Sequence, residues 1–189
     1  TRHDQRLLLM RLLAFAHLFD HRPTQHKALH IFHRFMNDTT FFIPPDLRSI
    51  VFHVGIYMGG VDEWNFLWEY MDLASVSEKR VIISALGTTR IPWLLNRYLH
   101  YALTGNKIRR QDAAFVVIAV ASNPVGLEFA WEFVKVNWKA LESGNFGVRR
   151  IVDGVLTHFQ TTEVCVVFVL SKPSDMLQWL ILLLNECDT

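Results

Sequence analysis

Apolar residues recur at helical spacing through most of the chain. Leu8, Leu12, Phe15, Ala16 and Phe19 fall on one stripe, widened by Leu9 and Leu13, before Pro23 and Thr24 break the pattern. Ala28, Ile31, Phe32 and Phe35 form a second stripe, and Asn37 to Pro45 reads as a loop. Pro45 followed by Asp46 predicts a helix entry, since Pro suits the first turn and an acid favours the positive end of the helix dipole. Leu47, Ile50, Val51, Val54 and Tyr57 continue that helix to Gly59 and Gly60. Trp64, Leu67, Trp68 and Met71 mark a helix at i, i+3, i+4 and i+7. Ser77 to Gly87 bounds another, and Pro92 opens one that carries Trp93, Leu94, Tyr98 and Leu99. Ile108 to Ala121 is apolar on most faces and reads as a central helix. Phe129, Phe133, Val136 and Leu141 predict one long amphipathic helix with Trp131 and Trp138 flanking its stripe, and Val148 to Phe159 predicts a last one.

The sum is about ten helices of roughly 10 to 16 residues joined by short turns. No strand pattern precedes Val164, although the Val-rich Cys165 to Leu170 reads equally as a strand. The predicted fold class is all-α: a superhelical array of antiparallel helix pairs, like HEAT or armadillo repeats, with an atypical apolar tail. The domain reading is a helical domain over 1–162 and a divergent tail over 163–189.

Composition narrows the function classes. Of 189 residues 51% are hydrophobic and 20% charged, with 24 aromatic side chains, so a disordered chain is excluded and the core is large. The net charge of +1 supplies no general field for nucleic acid. Cys165 and Cys187 are too few for a disulfide scaffold. The apolar runs Val164 to Leu170 and Met176 to Leu184 are far shorter than the ~20 residues that span a bilayer. No targeting segment is visible in the chain.

Three groups of side chains invite a chemical reading. Six of the nine histidines lie in the first 33 residues, with His17 and His21 four apart, as are His26 and His30, and His33 close behind. Histidines four apart can share a metal. However, Leu18 stands where a metalloprotease helix has its glutamate, and a polar helix face explains the cluster more simply, so no metal site is assigned. Trp64, Trp68, Trp93, Trp131 and Trp138 read as core, with a peptide-binding shelf as the alternative. Asn37-Asp38-Thr39 is an N-glycosylation acceptor tripeptide, relevant to a secreted parent.

Three segments carry a family resemblance. They are Ile43-Pro-Pro-Asp-Leu-Arg-Ser49 with Gly59-Gly-Val-Asp-Glu-Trp-Asn-Phe-Leu-Trp-Glu69, Trp93-Leu-Leu-Asn-Arg-Tyr-Leu99 with Ile108-Arg-Arg-Gln-Asp-Ala113, and Asn123-Pro-Val-Gly126 with Ala130-Trp-Glu-Phe-Val-Lys-Val-Asn-Trp138. In this order the chain, over Leu7 to Thr162, resembles the helical C-terminal domain of zinc metallo-aminopeptidases of the aminopeptidase N and endoplasmic-reticulum aminopeptidase type. The resemblance implies a helical bowl that caps a catalytic domain and shapes the peptide chamber. It also implies a parent on the extracellular face of the plasma membrane or in the secretory lumen. Its partners would be peptides and the catalytic domain of the same polypeptide, and it allows a homodimer through the helical domain.

The resemblance further marks Arg97, Arg109 and Arg110 as peptide-binding candidates, because basic residues of this bowl hold a peptide carboxylate in some relatives and Arg suits that task. An ion pair with Asp112 or Glu132 is the competing structural reading. The family's His-Glu-x-x-His zinc motif and Gly-Ala-Met-Glu-Asn segment do not occur in these 189 residues. The chain is therefore expected to contain no catalytic residue, to bind no cofactor, and not to hydrolyse peptides alone, the zinc belonging to the parent's catalytic domain. Cysteines that many cell-surface relatives carry near Phe52 or His53 and near Leu86 are replaced here, which removes that bridge. The resemblance ends after Glu163. A stand-alone helical-repeat module that binds a protein or peptide is the alternative function.

Overall fold

The computed structural model describes residues 19–105, 107–144 and 146–159, together with Leu8, Arg11, Leu12, Leu13, Phe15 and Ala16. The described chain is helical throughout. The Cys165 to Leu170 run, the boundary at 162 and the apolar tail lie outside the described residues. The helices are α1 (Arg22–Asn37), α2 (Pro45–Met58), α3 (Val61–Tyr70), α4 (Val76–Leu86) and α5 (Pro92–Thr104). A 3-10 turn at Arg110–Asp112 leads into α6 (Ala113–Ala121), α7 (Leu127–Val136), α8 (Trp138–Ser143) and α9 (Val148–Leu156). The chain forms two compact units, Thr1–Tyr98 and Leu99–Thr189, with the boundary inside α5.

In the first unit α1 packs on α2, α2 on α4, and α3 against both α2 and α4. Pro23 falls in the first turn of α1 instead of ending the preceding pattern, because a proline there gives up an N–H that has no intrahelical partner. Buried Phe32 and Phe35 meet Phe52 of α2 and Phe66 and Tyr70 of α3 in edge-on and tilted contacts of 4.8 to 6.2 Å. Gly55 allows this approach: a β-carbon there would stand 2.4 Å from the Phe32 ring.

The end of α4 is fixed by its neighbours. The last carbonyls of a helix lack intrahelical donors, and burial makes that costly. Trp64 Nε1 of α3 donates to the Leu86 carbonyl at 3.1 Å, and the Tyr98 hydroxyl of α5 donates to the Ile83 carbonyl at 3.1 Å. The Thr88 hydroxyl takes the Ala85 carbonyl at 2.7 Å. Burial pushes the Tyr98 phenol well above its ordinary range. At the other end of α4, buried Glu78 accepts from Arg48 of α2 at 2.7 Å.

The second unit is built on α6, whose nine residues Ala-Ala-Phe-Val-Val-Ile-Ala-Val-Ala are almost all buried. It packs on α7 and α9, and α9 also reaches α7. The predicted helix from Ile108 is shorter than expected: Arg109, Arg110 and Gln111 are exposed, and the regular helix begins only at Ala113. The predicted helix over Phe129 to Leu141 is two helices. Asn137 Nδ2 donates back to the Phe133 carbonyl at 2.9 Å, and the backbone leaves the helical region there at φ −100° and ψ 15°. An asparagine that satisfies a preceding carbonyl offers the chain an exit from the helix. Phe133 and Leu141 of the predicted stripe are buried, and Trp131 and Trp138 are core as predicted, while Phe129 and Val136 are exposed. Leu8, Leu12, Phe15 and Phe19 are exposed as well, although their spacing predicts a buried stripe.

Two outcomes follow. Replacing Tyr98 by Phe leaves the Ile83 carbonyl buried without its donor and should cost about 1–3 kcal/mol, read from urea unfolding. The second concerns His53, half-buried between α2 and α4. Its Nδ1–H donates to the Ser49 carbonyl at 2.7 Å and its Nε2 accepts from the Ser84 hydroxyl at 3.0 Å. Burial holds its pKa below the ordinary 6.5 against the opposing Ser49 hydrogen bond. The unfolded chain therefore takes up the proton first. This contribution is complete above pH 6.5 and is lost as the pH falls from there toward the folded pKa. The urea midpoint should drop between pH 7.5 and 5.5, and drop less in His53→Gln.

Candidate functional site

Arg97, one of the three predicted arginines, belongs to the first unit. Its guanidinium lies between two indoles, 4.7 Å from the Trp64 ring centre and 5.1 Å from that of Trp93. Its Nη2 donates to Asn65 Oδ1 at 2.7 Å. Stacking and an amide oxygen thus help to fix Arg97, while Glu132 takes the nearby Lys135. Four residues before Arg97 on α5, Trp93 is 52% exposed, so it is the one tryptophan of the five that offers a large open face.

Arg109 and Arg110 belong to the second unit, where both are exposed at the 3-10 turn. Arg110 stands 5.9 Å over the Phe146 ring. Phe146 forms part of the floor of a groove of about 780 Å³ between α6 and α9, and Gln111 lies on its rim. Ala114, Ile118 and Gly154 complete the floor, Arg149, Arg150 and Asp153 stand along α9, and Thr157 follows its last residue. The helices come this close because position 154 is Gly, where a β-carbon would stand 2.4 Å from Ile118. Gly147, at φ 72°, supplies the left-handed turn that starts α9. Arg150 is itself stacked, 5.4 Å over the Phe115 ring. An apolar floor with a cationic rim suits an extended peptide that carries a carboxylate. Neither Arg109 nor Arg110 lines the groove, although Arg110 stands beside it over the Phe146 ring. The groove was hidden in the sequence, though the adjacent Arg149 and Arg150 on the polar side of an amphipathic helix are a usable signal.

A second cavity of about 780 Å³ lies in the first unit, more polar, among Arg22, His26, Tyr57, Arg90 and Asp20. Arg90 stands 5.5 Å over the Tyr57 ring, and Asp20 adopts a left-handed φ of 53°.

The histidines go separate ways. His17 lies outside the described residues. The His21 ring bonds the Thr24 hydroxyl at 2.8 Å, and His33 donates to Glu63 at 2.9 Å. Burial raises the Glu63 carboxyl, but hydrogen bonds from the Gly60 amide, its own amide and His33 outweigh it and leave the pKa below the ordinary carboxylate value. Among the described residues no three His, Cys, Asp or Glu side chains are grouped to hold a metal. The described residues therefore do not form a hydrolytic zinc centre, which takes three protein ligands and an open position. Asn37 is the last residue of α1, not a loop residue, and is exposed.

Comparison with known proteins agrees with the fold. The family model of the ERAP1-like C-terminal domain matches residues 1–166. Aminopeptidase N of Bos taurus is 39% identical over 137 residues, 69% of this chain and 14% of that protein. Aminopeptidase N of Rattus norvegicus is 40% identical over 124 residues, 63% of this chain and 13% of that protein. Endoplasmic reticulum aminopeptidase 2 of Bos taurus is 34% identical over 164 residues, 84% of this chain and 17% of that protein. The chain therefore matches a small part, 13% to 17%, of the length of these relatives.

The stacked Arg97 is open to a charge-preserving test. Arg97→Lys keeps the charge but loses the planar group between two indoles and the fixed bond to Asn65. It should cost about 1–2 kcal/mol in urea unfolding, whereas an ordinary surface arginine would tolerate the change within about 0.5 kcal/mol.

Proposed function

Because the chain belongs to the ERAP1-like C-terminal domain family, we propose that it serves as the helical cap of a zinc metallo-aminopeptidase that removes N-terminal residues from peptides. In this reading the catalytic and zinc-binding residues are supplied by another part of the parent polypeptide. The cap shapes the chamber and engages the body of the peptide downstream of the bond that is cut. The observation that carries this reading is the α6–α9 groove, where an apolar floor of Ala114, Ile118 and Phe146 is rimmed by Arg149 and Arg150.

Charge and shape agree with a peptide ligand. The floor accepts side chains, and the two lining arginines outnumber the one lining acid, Asp153. Arg110, stacked on Phe146, adds a third cation beside the floor. The catalytic domain of the same polypeptide is the partner that would meet this unit's neighbour. The exposed row Leu8, Leu12, Phe15 and Phe19 supports a docked face there, since an uncovered run of large apolar side chains is costly in water. The parent would work on the extracellular side of the plasma membrane or in the secretory lumen. No described helix is long and apolar enough to cross a membrane.

The test uses the parent enzyme with Arg149→Glu and Arg150→Glu together. Turnover would be measured on a series of peptides of increasing length and on a single-residue amide. Loss of charge-assisted contacts at the groove should lower kcat/KM for long peptides about tenfold while the single-residue substrate is unaffected. Equal effects on short and long substrates, or none on either, would exclude the groove from peptide selection.

A further inference from the structure

Among the 189 residues, Asn37-Asp38-Thr39 is the only Asn-x-Ser/Thr tripeptide in which the middle residue is not Pro. Such tripeptides arise often by chance, so their setting decides. Asn37 closes α1, and the chain turns out of the helix at Asp38, which is extended at φ −142° and ψ 99°. Asn37, Asp38 and Thr39 are all exposed. The Asp38 carboxylate is engaged by Thr40, accepting from its amide at 2.9 Å and its hydroxyl at 2.6 Å, and no such contact ties it to Thr39. The Asp38 amide keeps the last helical bond, to the Arg34 carbonyl at 3.0 Å. The acceptor therefore stands at the rim of the first unit and takes no part in its core.

We propose that Asn37 carries an N-linked oligosaccharide. The donor is a lipid-linked oligosaccharide pyrophosphate. The Asn37 amide nitrogen forms a bond to the anomeric carbon of the first sugar, the bond from that carbon to the pyrophosphate oxygen breaks, and the amide loses one proton as the lipid pyrophosphate leaves. The proposal rests on the reading that the parent enters the secretory lumen. A sugar chain attached before folding must stay outside the core, and the fold meets this at Asn37. The turn that follows exposes Phe42 to 69%. A hydrated glycan beside it would shield that ring and keep the α1–α2 turn on the solvent side of the parent molecule.

The experiment expresses the full chain behind a cleavable secretory leader in mammalian cells. The leader-processed product should show one mobility step removed by peptide N-glycosidase, with an aspartate left at position 37 in the tryptic peptide. Asn37→Gln and Thr39→Ala should abolish the step, and Thr39→Ser should keep it. A leader-processed chain of unmodified mass overturns the proposal and leaves the secretory reading standing. A modified leader-fused chain, with an unmodified protein in the cells that naturally make it, overturns the secretory reading and the proposal together.

Discussion

The first unit is organised around the buried end of α4. A helix that stops inside a protein leaves carbonyls that water cannot reach, and each must find a donor. Here the donors come from the helices on either side of α4 in the chain: Trp64 from α3 and Tyr98 from α5. Both donors are large aromatic groups, so each brings a wide apolar face along with its single polar atom. The Trp64 ring stacks on Trp68 at 5.6 Å and meets Tyr98 edge-on at 5.7 Å. One requirement, closing the end of α4, thus places the aromatic layer between α3 and α5. That layer in turn fixes Arg97, whose guanidinium uses Trp64 as one of its two walls. The chain from backbone requirement to a positioned cation has three links, and each is a named contact.

Close approach of helices is managed by glycine on the same logic in both units. Gly55 lets α2 meet the Phe32 ring, and Gly154 lets α9 meet Ile118. The first contact closes a core, while the second leaves a groove beside it. The difference lies in what flanks the glycine. Around Gly55 the neighbours are buried Val51, Phe52, Val54 and Ile56, whereas beside Gly154 stand Arg150, Asp153 and Thr157, whose polar ends stay in water.

Helical periodicity made most of this fold legible, because apolar spacing reports burial wherever a helix has one covered face. The stripes of Ala28, Phe32 and Phe35 and of Trp64 and Leu67 are core in the structure. Periodicity misled where a single polar residue redirects the backbone. At Asn137, whose side chain bonds the Phe133 carbonyl, the backbone leaves the helical region, and Val136 just before it is 80% exposed although the stripe predicts it buried. It also misled at Leu8, Leu12, Phe15 and Phe19, since spacing predicts an apolar face but not what covers it. The sites were less legible than the fold. Arg110 stood out through its segment, but Phe146 meets it only through tertiary packing, as does the groove that Arg149 and Arg150 line. Arg97 stood out as a cation, while its two indole walls depend on α3 and α5 coming together.

The stacked arginines give the α6–α9 groove a property that charge alone would not. An arginine loses side-chain freedom when it grips a carboxylate, and that loss offsets part of the contact. Arg150 rests over Phe115 and Arg110 over Phe146, so part of their freedom is already spent in the unliganded protein. A guanidinium also keeps its hydrogen-bonding edge available when its face is covered by a ring. The arrangement therefore favours a ligand that presents a carboxylate to the edge and an apolar group to the floor. A folded protein surface rarely offers both together at groove width, whereas an extended peptide does so with adjacent or alternate groups. This is why the same groove that supports a peptide-selecting cap speaks less for a platform that docks folded proteins.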